Sequence, residues 1–116
     1  MTPAWRRGAV IALWAIVVAA AAGAGAMLAR APKPETHTVT IDGTSYKPAR
    51  LAVHVGDTVV WENKDIIPHT ATGKGGAFDS KMLATGATFR FTFKTKGGTD
   101  YACLYHPTMT GRIDAE

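Results

Sequence analysis

From Thr36 onward the chain alternates. Thr36-His37-Thr38-Val39-Thr40-Ile41 sets polar against apolar residues at every second position, and Asp42-Gly43 closes the run with a turn pair. Ser45-Tyr46-Lys47-Pro48 has no regular pattern. Leu51-Ala52-Val53-His54-Val55, the turn pair Gly56-Asp57, and Thr58-Val59-Val60-Trp61-Glu62-Asn63 predict two strands joined as a hairpin or a corner. Thr88-Phe89-Arg90-Phe91-Thr92-Phe93 alternates again, with aromatics on one face. Lys96-Gly97-Gly98-Thr99 reads as a turn leading into Asp100-Tyr101-Ala102-Cys103, and Gly111-Arg112-Ile113-Asp114 as a short closing strand. No amphipathic helical period appears after residue 35; Ala77 to Ala84 has room for one turn of helix. Short strands punctuated by Gly and Pro predict an all-β sandwich or barrel. Trp61, Phe89, Phe91 and Phe93 are expected in its core, and His37 and His54, on strands, are expected to be structural.

The first third of the chain has a different pattern. Arg6 and Arg7 precede a run of 22 uncharged residues, Gly8 to Ala29. Basic first and apolar next is the order of a secretory signal, with Ala24-Gly25-Ala26 as a small-residue cleavage site. The run also reaches the roughly 20 residues that cross a bilayer. A cleaved signal and a retained anchor both fit, and both leave Arg6 and Arg7 on the cytoplasmic side with the domain exported. Sec export and twin-arginine export are both compatible with the Arg-Arg pair. Ala31-Pro32-Lys33-Pro34-Glu35 then makes a stiff spacer. The expected organisation is a signal peptide or membrane anchor over 1–30, a linker over 31–35 and one domain over 36–116.

Charge changes the picture only by exclusion. The chain carries 13 basic and 9 acidic residues, a formal charge of +4. Residues 1–31 hold Arg6, Arg7 and Arg30 and no acid, so the exported part has 10 basic against 9 acidic residues and is nearly neutral. No basic stripe with interleaved aromatics marks a nucleic-acid surface. The single cysteine excludes an intrachain disulfide, and an unpaired thiol in an oxidising compartment needs burial or a metal to protect it.

That cysteine stands in Tyr101-Ala102-Cys103-Leu104-Tyr105-His106-Pro107-Thr108-Met109, with His106 three residues on and Met109 three beyond. A thiolate, an imidazole and a thioether in one loop are soft or borderline donors, suited to copper rather than magnesium or calcium. A fourth donor comes from Lys64-Asp65-Ile66-Ile67-Pro68-His69-Thr70, where His69 follows a rigid proline 34 residues before Cys103. His69, Cys103, His106 and Met109 together form the donor set of a blue-copper electron-transfer centre, with the methionine axial. One ligand separated from three across a rigid sandwich holds the site alike in both oxidation states. Met82 is the fallback thioether. Lys74-Gly75-Gly76 is a flexible loop outside any phosphate-binding pattern.

On Leu51 to Asn63 (LAVHVGDTVVWEN), Pro68-His69 and Tyr101 to Ile113 (YACLYHPTMTGRI), the chain resembles the small blue-copper cupredoxins of the plastocyanin, pseudoazurin and amicyanin group. The resemblance covers most of residues 37–115, and the Cys-x-x-His-x-x-Met spacing most resembles amicyanin. It implies a cupredoxin-like Greek-key β-sandwich and one type 1 copper ion. It further implies a buried Cys103 whose sulfur accepts backbone amides, His106 at an apolar surface where electrons pass, and Asn63 bracing the ligand loops. Thr70 stands where many relatives carry Asn, which alters that bracing. Leu104-Tyr105 replaces the common Thr-Pro, so Leu104, Tyr105 and Pro107 are expected to shape the partner surface.

The leading expectation is a periplasmic or membrane-anchored copper protein that shuttles single electrons between redox partners, of which a dehydrogenase, a cytochrome c and a terminal reductase all fit. It would be a monomeric domain and no enzyme. Copper delivery, storage or sensing is the alternative, although only Met82 and Met109 follow residue 35 and no Met-rich surface exists. Multicopper enzymes need a second histidine-rich site, and four histidines in all leave two. A structural zinc site is chemically possible, but the thioether disfavours it.

Overall fold

The computed structural model describes residues 33–116. The signal or anchor helix expected over 1–30 lies outside the described residues. Lys33, Pro34 and Glu35 have no regular structure, and the strands begin at Thr36. Among the described residues no helix is long and apolar enough to cross a membrane.

Two four-stranded sheets face each other. The first runs β2 (Ser45–Lys47), β1 (Thr36–Asp42), β4 (Thr58–Asn63), β6 (Thr88–Thr92). The second runs β3 (Arg50–Val53), β8 (Thr110–Ala115), β7 (Gly97–Ala102), β5 (Thr72–Gly73). β1 pairs parallel with β4, from Thr36 opposite Thr58 to Ile41 opposite Asn63, and β3 pairs parallel with β8. The remaining pairs are antiparallel. The chain changes sheet after β2, β3, β4, β5 and β6, so the sequence does not fold as successive hairpins. Gly56-Asp57 is accordingly a corner between sheets.

Period-two burial positions the site. On β4, Val59, Trp61 and Asn63 point inward, and on β1 Val39 and Ile41 do the same. The inner face of these two strands thus runs from His37 and Asp57 at one pole to Asn63 at the other. Six residues at about 3.3 Å per residue put the poles roughly 20 Å apart. Trp61 and Phe93 are buried as expected, with Phe89 and Phe91 partly buried against the core. Phe78, in the stretch with room for a helical turn, is the centre of the aromatic cluster. Its ring lies 5.0 Å from Trp61, 5.2 Å from Phe91 and 5.8 Å from Tyr101.

Four local expectations are corrected. Gly97-Gly98 is not a turn but the start of β7, because both glycines pair with the end of β8, Gly97 opposite Ala115 and Gly98 opposite Asp114. A Cβ on Gly98 would meet the Arg112 guanidinium, so a side chain there would displace Arg112 from its place over the strand. Ser45–Lys47 is a strand rather than irregular chain, paired with the end of β1. The closing strand is longer than expected and lies inside its sheet, between β3 and β7. Ala77 to Ala84 forms no helix; the only helical turn among the described residues is a 3-10 turn at Lys74–Gly76.

Candidate metal centre

At the Asn63 pole, two loops are brought together by backbone geometry first. Asn63 is fully buried, and its side chain donates to Ile67 O at 2.9 Å and to Leu83 O at 2.8 Å while accepting from the Asp65 amide at 2.9 Å. That satisfies the whole amide group and curls Lys64 to Pro68 into a fixed loop. His69 follows with its backbone paired to Leu83 in both directions, at 3.1 and 2.7 Å. The second loop closes on itself: Cys103 N donates to Met109 O at 3.1 Å, and Met109 N to His106 O at 2.8 Å.

Thr70 joins the two loops. Its amide donates to Cys103 Sγ at 3.4 Å, and its hydroxyl accepts the Leu104 amide at 2.9 Å. Its carbonyl accepts the buried Tyr46 hydroxyl, whose pKa burial pushes upward. The hydroxyl at position 70 thus reaches across to the cysteine loop.

The side chains of His69, Cys103 and His106 converge, with ligand atoms all within 4.8 Å of one another. His69 Nδ1 lies 3.8 Å from Cys103 Sγ and His106 Nδ1 lies 3.5 Å from it. A first-row ion about 2.0 Å from nitrogen and about 2.3 Å from sulfur, in a trigonal plane, leaves nitrogen and sulfur about 3.7 Å apart. The donor set and its spacing fit one type 1 copper ion. His69 and Cys103 are buried and His106 is partly exposed. Met109 is buried at the end of the same loop, whereas Met82 is exposed.

Asp65 is a participant that the sequence reading missed. Its Oδ2 lies 2.9 Å from His69 Nε2, so the outer nitrogen carries the proton and Nδ1 keeps its lone pair toward Cys103. The Thr44 amide above all, then the His69 ring and the Ile66 amide, hold the Asp65 carboxyl below the usual carboxylate range. The signal was a carboxylate four residues before a candidate ligand, which has no meaning until the loop curls back.

The surface around these loops is apolar. Leu104 is 65% and Tyr105 51% exposed, and Pro107 is exposed beside them. Ile66, Ile67 and Met82, from the loops that carry and back His69, are exposed as well. His37 and His54 lie at the opposite pole, next to Asp57.

The family model of the cupredoxin-like domain matches residues 8–113. Amicyanin of Paracoccus versutus is 29% identical over 121 residues, covering 93% of this chain and 92% of that protein. Amicyanin of Paracoccus denitrificans is 34% identical over 83 residues, covering 67% of this chain and 63% of that protein. Among solved structures, a purple cupredoxin from Nitrosopumilus maritimus superposes with a TM-score of 0.67 at 29% identity, covering 69% of this chain and 99% of the other. A copper-containing nitrite reductase from Thermus scotoductus gives 0.67 at 31% identity, covering 76% of this chain but 24% of the reductase.

Proposed function

The chain belongs to the cupredoxin-like domain family, and from that premise we propose that it is a type 1 copper protein carrying single electrons between redox proteins outside the cytoplasm. The observation that carries the reading is the convergence of His69, Cys103 and His106 from two loops braced against each other. His69, Cys103, His106 and Met109 would hold the ion, the first three by their converging donor atoms and Met109 from the end of the same loop. Bound there, copper supplies a one-electron couple with no bond made or broken. The chain's own residues keep the site alike in both states: Asn63 and Thr70 hold the loops, and Asp65 fixes the His69 ring.

Electrons pass through His106, the partly exposed ligand, and Leu104, Tyr105 and Pro107 form the apolar contact surface with Ile66, Ile67 and Met82. A large exposed apolar patch is the mark of a docking site. Residues 1–30 export the domain as a signal or an anchor and residues 31–35 space it from that segment, leaving 36–116 as the electron-carrying domain. The partner is a periplasmic dehydrogenase, cytochrome c or terminal reductase. The protein is a carrier and no enzyme: the nitrite reductase is about four times as long as the matched part, and only His37 and His54 remain here for a second site.

Carriage and delivery make opposite demands on the ion. Stopped-flow electron exchange of the copper-loaded protein, set against the rate at which a chelator removes the copper, separates them. Exchange much faster than removal is expected. Copper leaving faster than electrons exchange would replace this reading with delivery or storage.

A further inference from the structure

We propose that the pole opposite the copper loops is a second metal site, taking zinc or a similar borderline divalent ion on His37, Asp57, Glu35 and His54. Its place is where the segment before β1 meets the corner between β3 and β4. Ligand atoms of Glu35, His37 and Asp57 all lie within 4.8 Å of one another. His37 Nε2 is 2.9 Å from Asp57 Oδ2, and His54 Nδ1 is 3.9 Å from the same oxygen. Zinc bonds of about 2.0–2.2 Å to imidazole and carboxylate in a tetrahedron set neighbouring donors about 3.4 Å apart. The two observed separations bracket that value.

The donors divide into a fixed pair and a free pair. The Asp57 side chain is 2% exposed and that of His37 22%, so both are held by the fold. The exposed Glu35 belongs to the converging group, and His54, 60% exposed, stands beside the same Asp57 oxygen, so both can close over an ion from solvent. Two imidazoles with two carboxylates favour zinc over calcium or magnesium, which take oxygen. Without a thiolate or thioether the set has no preference for cuprous copper.

Asp57 has a bracing duty already. Its Oδ1 accepts the Glu35 amide at 2.8 Å and its Oδ2 the His54 amide at 2.9 Å. Those two bonds aim the carboxylate and survive ion binding, as outer bonds do for carboxylate ligands. Only the bond between Asp57 and the His37 ring is exchanged: the ion takes the place of the proton between Oδ2 and Nε2, and the neutral ring carries its proton on Nδ1 instead. The bound ion ties the chain just before β1 to the corner it packs against.

The test is calorimetric titration of the copper-loaded full chain with Zn2+, with the visible band recorded alongside. One equivalent taken up with the band unchanged is expected. His37→Gln keeps a donor toward Asp57 and removes the ligand, and His54→Ala removes an exposed one. Each should weaken zinc binding tenfold or more, leaving the band and the zinc-free melting temperature in place. No uptake, uptake only as the band disappears, or equal uptake by the double variant would overturn the proposal. Loss in the double variant reads the same whether or not copper is bound, so failure of the copper reading is distinguishable from failure of this one.

Discussion

The amide of Thr70 donates to the sulfur of Cys103, 33 residues away in sequence, at 3.4 Å. The same residue's hydroxyl takes the amide of Leu104, so position 70 fixes both the electronics of the sulfur and the path of the loop that carries it. Thr70→Val keeps the backbone bond and deletes the hydroxyl acceptor. A buried N–H left without a partner costs about 1–3 kcal/mol, and this partly buried one should lie at the low end, about 1 kcal/mol. Urea denaturation should show that loss, and Thr70→Ser, which retains the hydroxyl, should recover most of it. A Val variant as stable as the parent would mean that the cross-loop bond carries no weight.

Asp65 holds the His69 ring at 2.9 Å and would act on a bound metal through it. Removing an outer carboxylate from a ligating histidine typically costs about 10–100-fold in metal affinity. Asp65→Ala should weaken copper binding by about that factor in chelator competition, while the strands persist by circular dichroism. Unchanged affinity would show that Asn63 and the Leu83 bridge orient the ring alone.

Met109 is tested by a swap that conserves volume. Met109→Leu should cost less than about 1.5 kcal/mol, because the buried space stays filled. An axial thioether stabilises the oxidised ion, so its loss should raise the reduction potential in voltammetry with the blue colour kept. A potential equal to the parent's would exclude Met109 as a ligand.

Acid should weaken the opposite pole. Asp57 is held down to about 2 from an ordinary 3.8, first by the Glu35 amide, then by the His37 ring and the His54 amide. The unfolded chain therefore binds more protons than the native one between about pH 4 and 2, and stability falls as pH falls through that window. Denaturation midpoints measured with a chelator present from pH 5 to pH 2 should drop, and Asp57→Asn should flatten the slope. An equal slope in the variant would assign acid sensitivity to other carboxylates.

The convergence of His69, Cys103 and His106 was legible because the candidate donors' chemistry is local. Cys103, His106 and Met109 sit three apart in one loop, and His69 follows a proline directly after a patterned strand. Strand existence was legible for the same reason, since alternation in β1, β4 and β6 is a property of neighbours. What depended on distant chain was not. Asp65 needs the loop to curl, Phe78 needs the aromatic cluster around it, and His37 with Asp57 needs β1 beside the β3–β4 corner. Gly97-Gly98 carried a turn signal that pairing with the end of β8 overrides. Thr72–Gly73 is too short to pattern at all.

The visible spectrum of the copper-loaded protein tests the central reading most directly. An intense thiolate-to-copper charge-transfer band is expected in the parent, abolished in Cys103→Ser, with one copper bound per chain. A parent that binds copper without the band, or a Cys103→Ser variant that keeps it, would contradict the assignment.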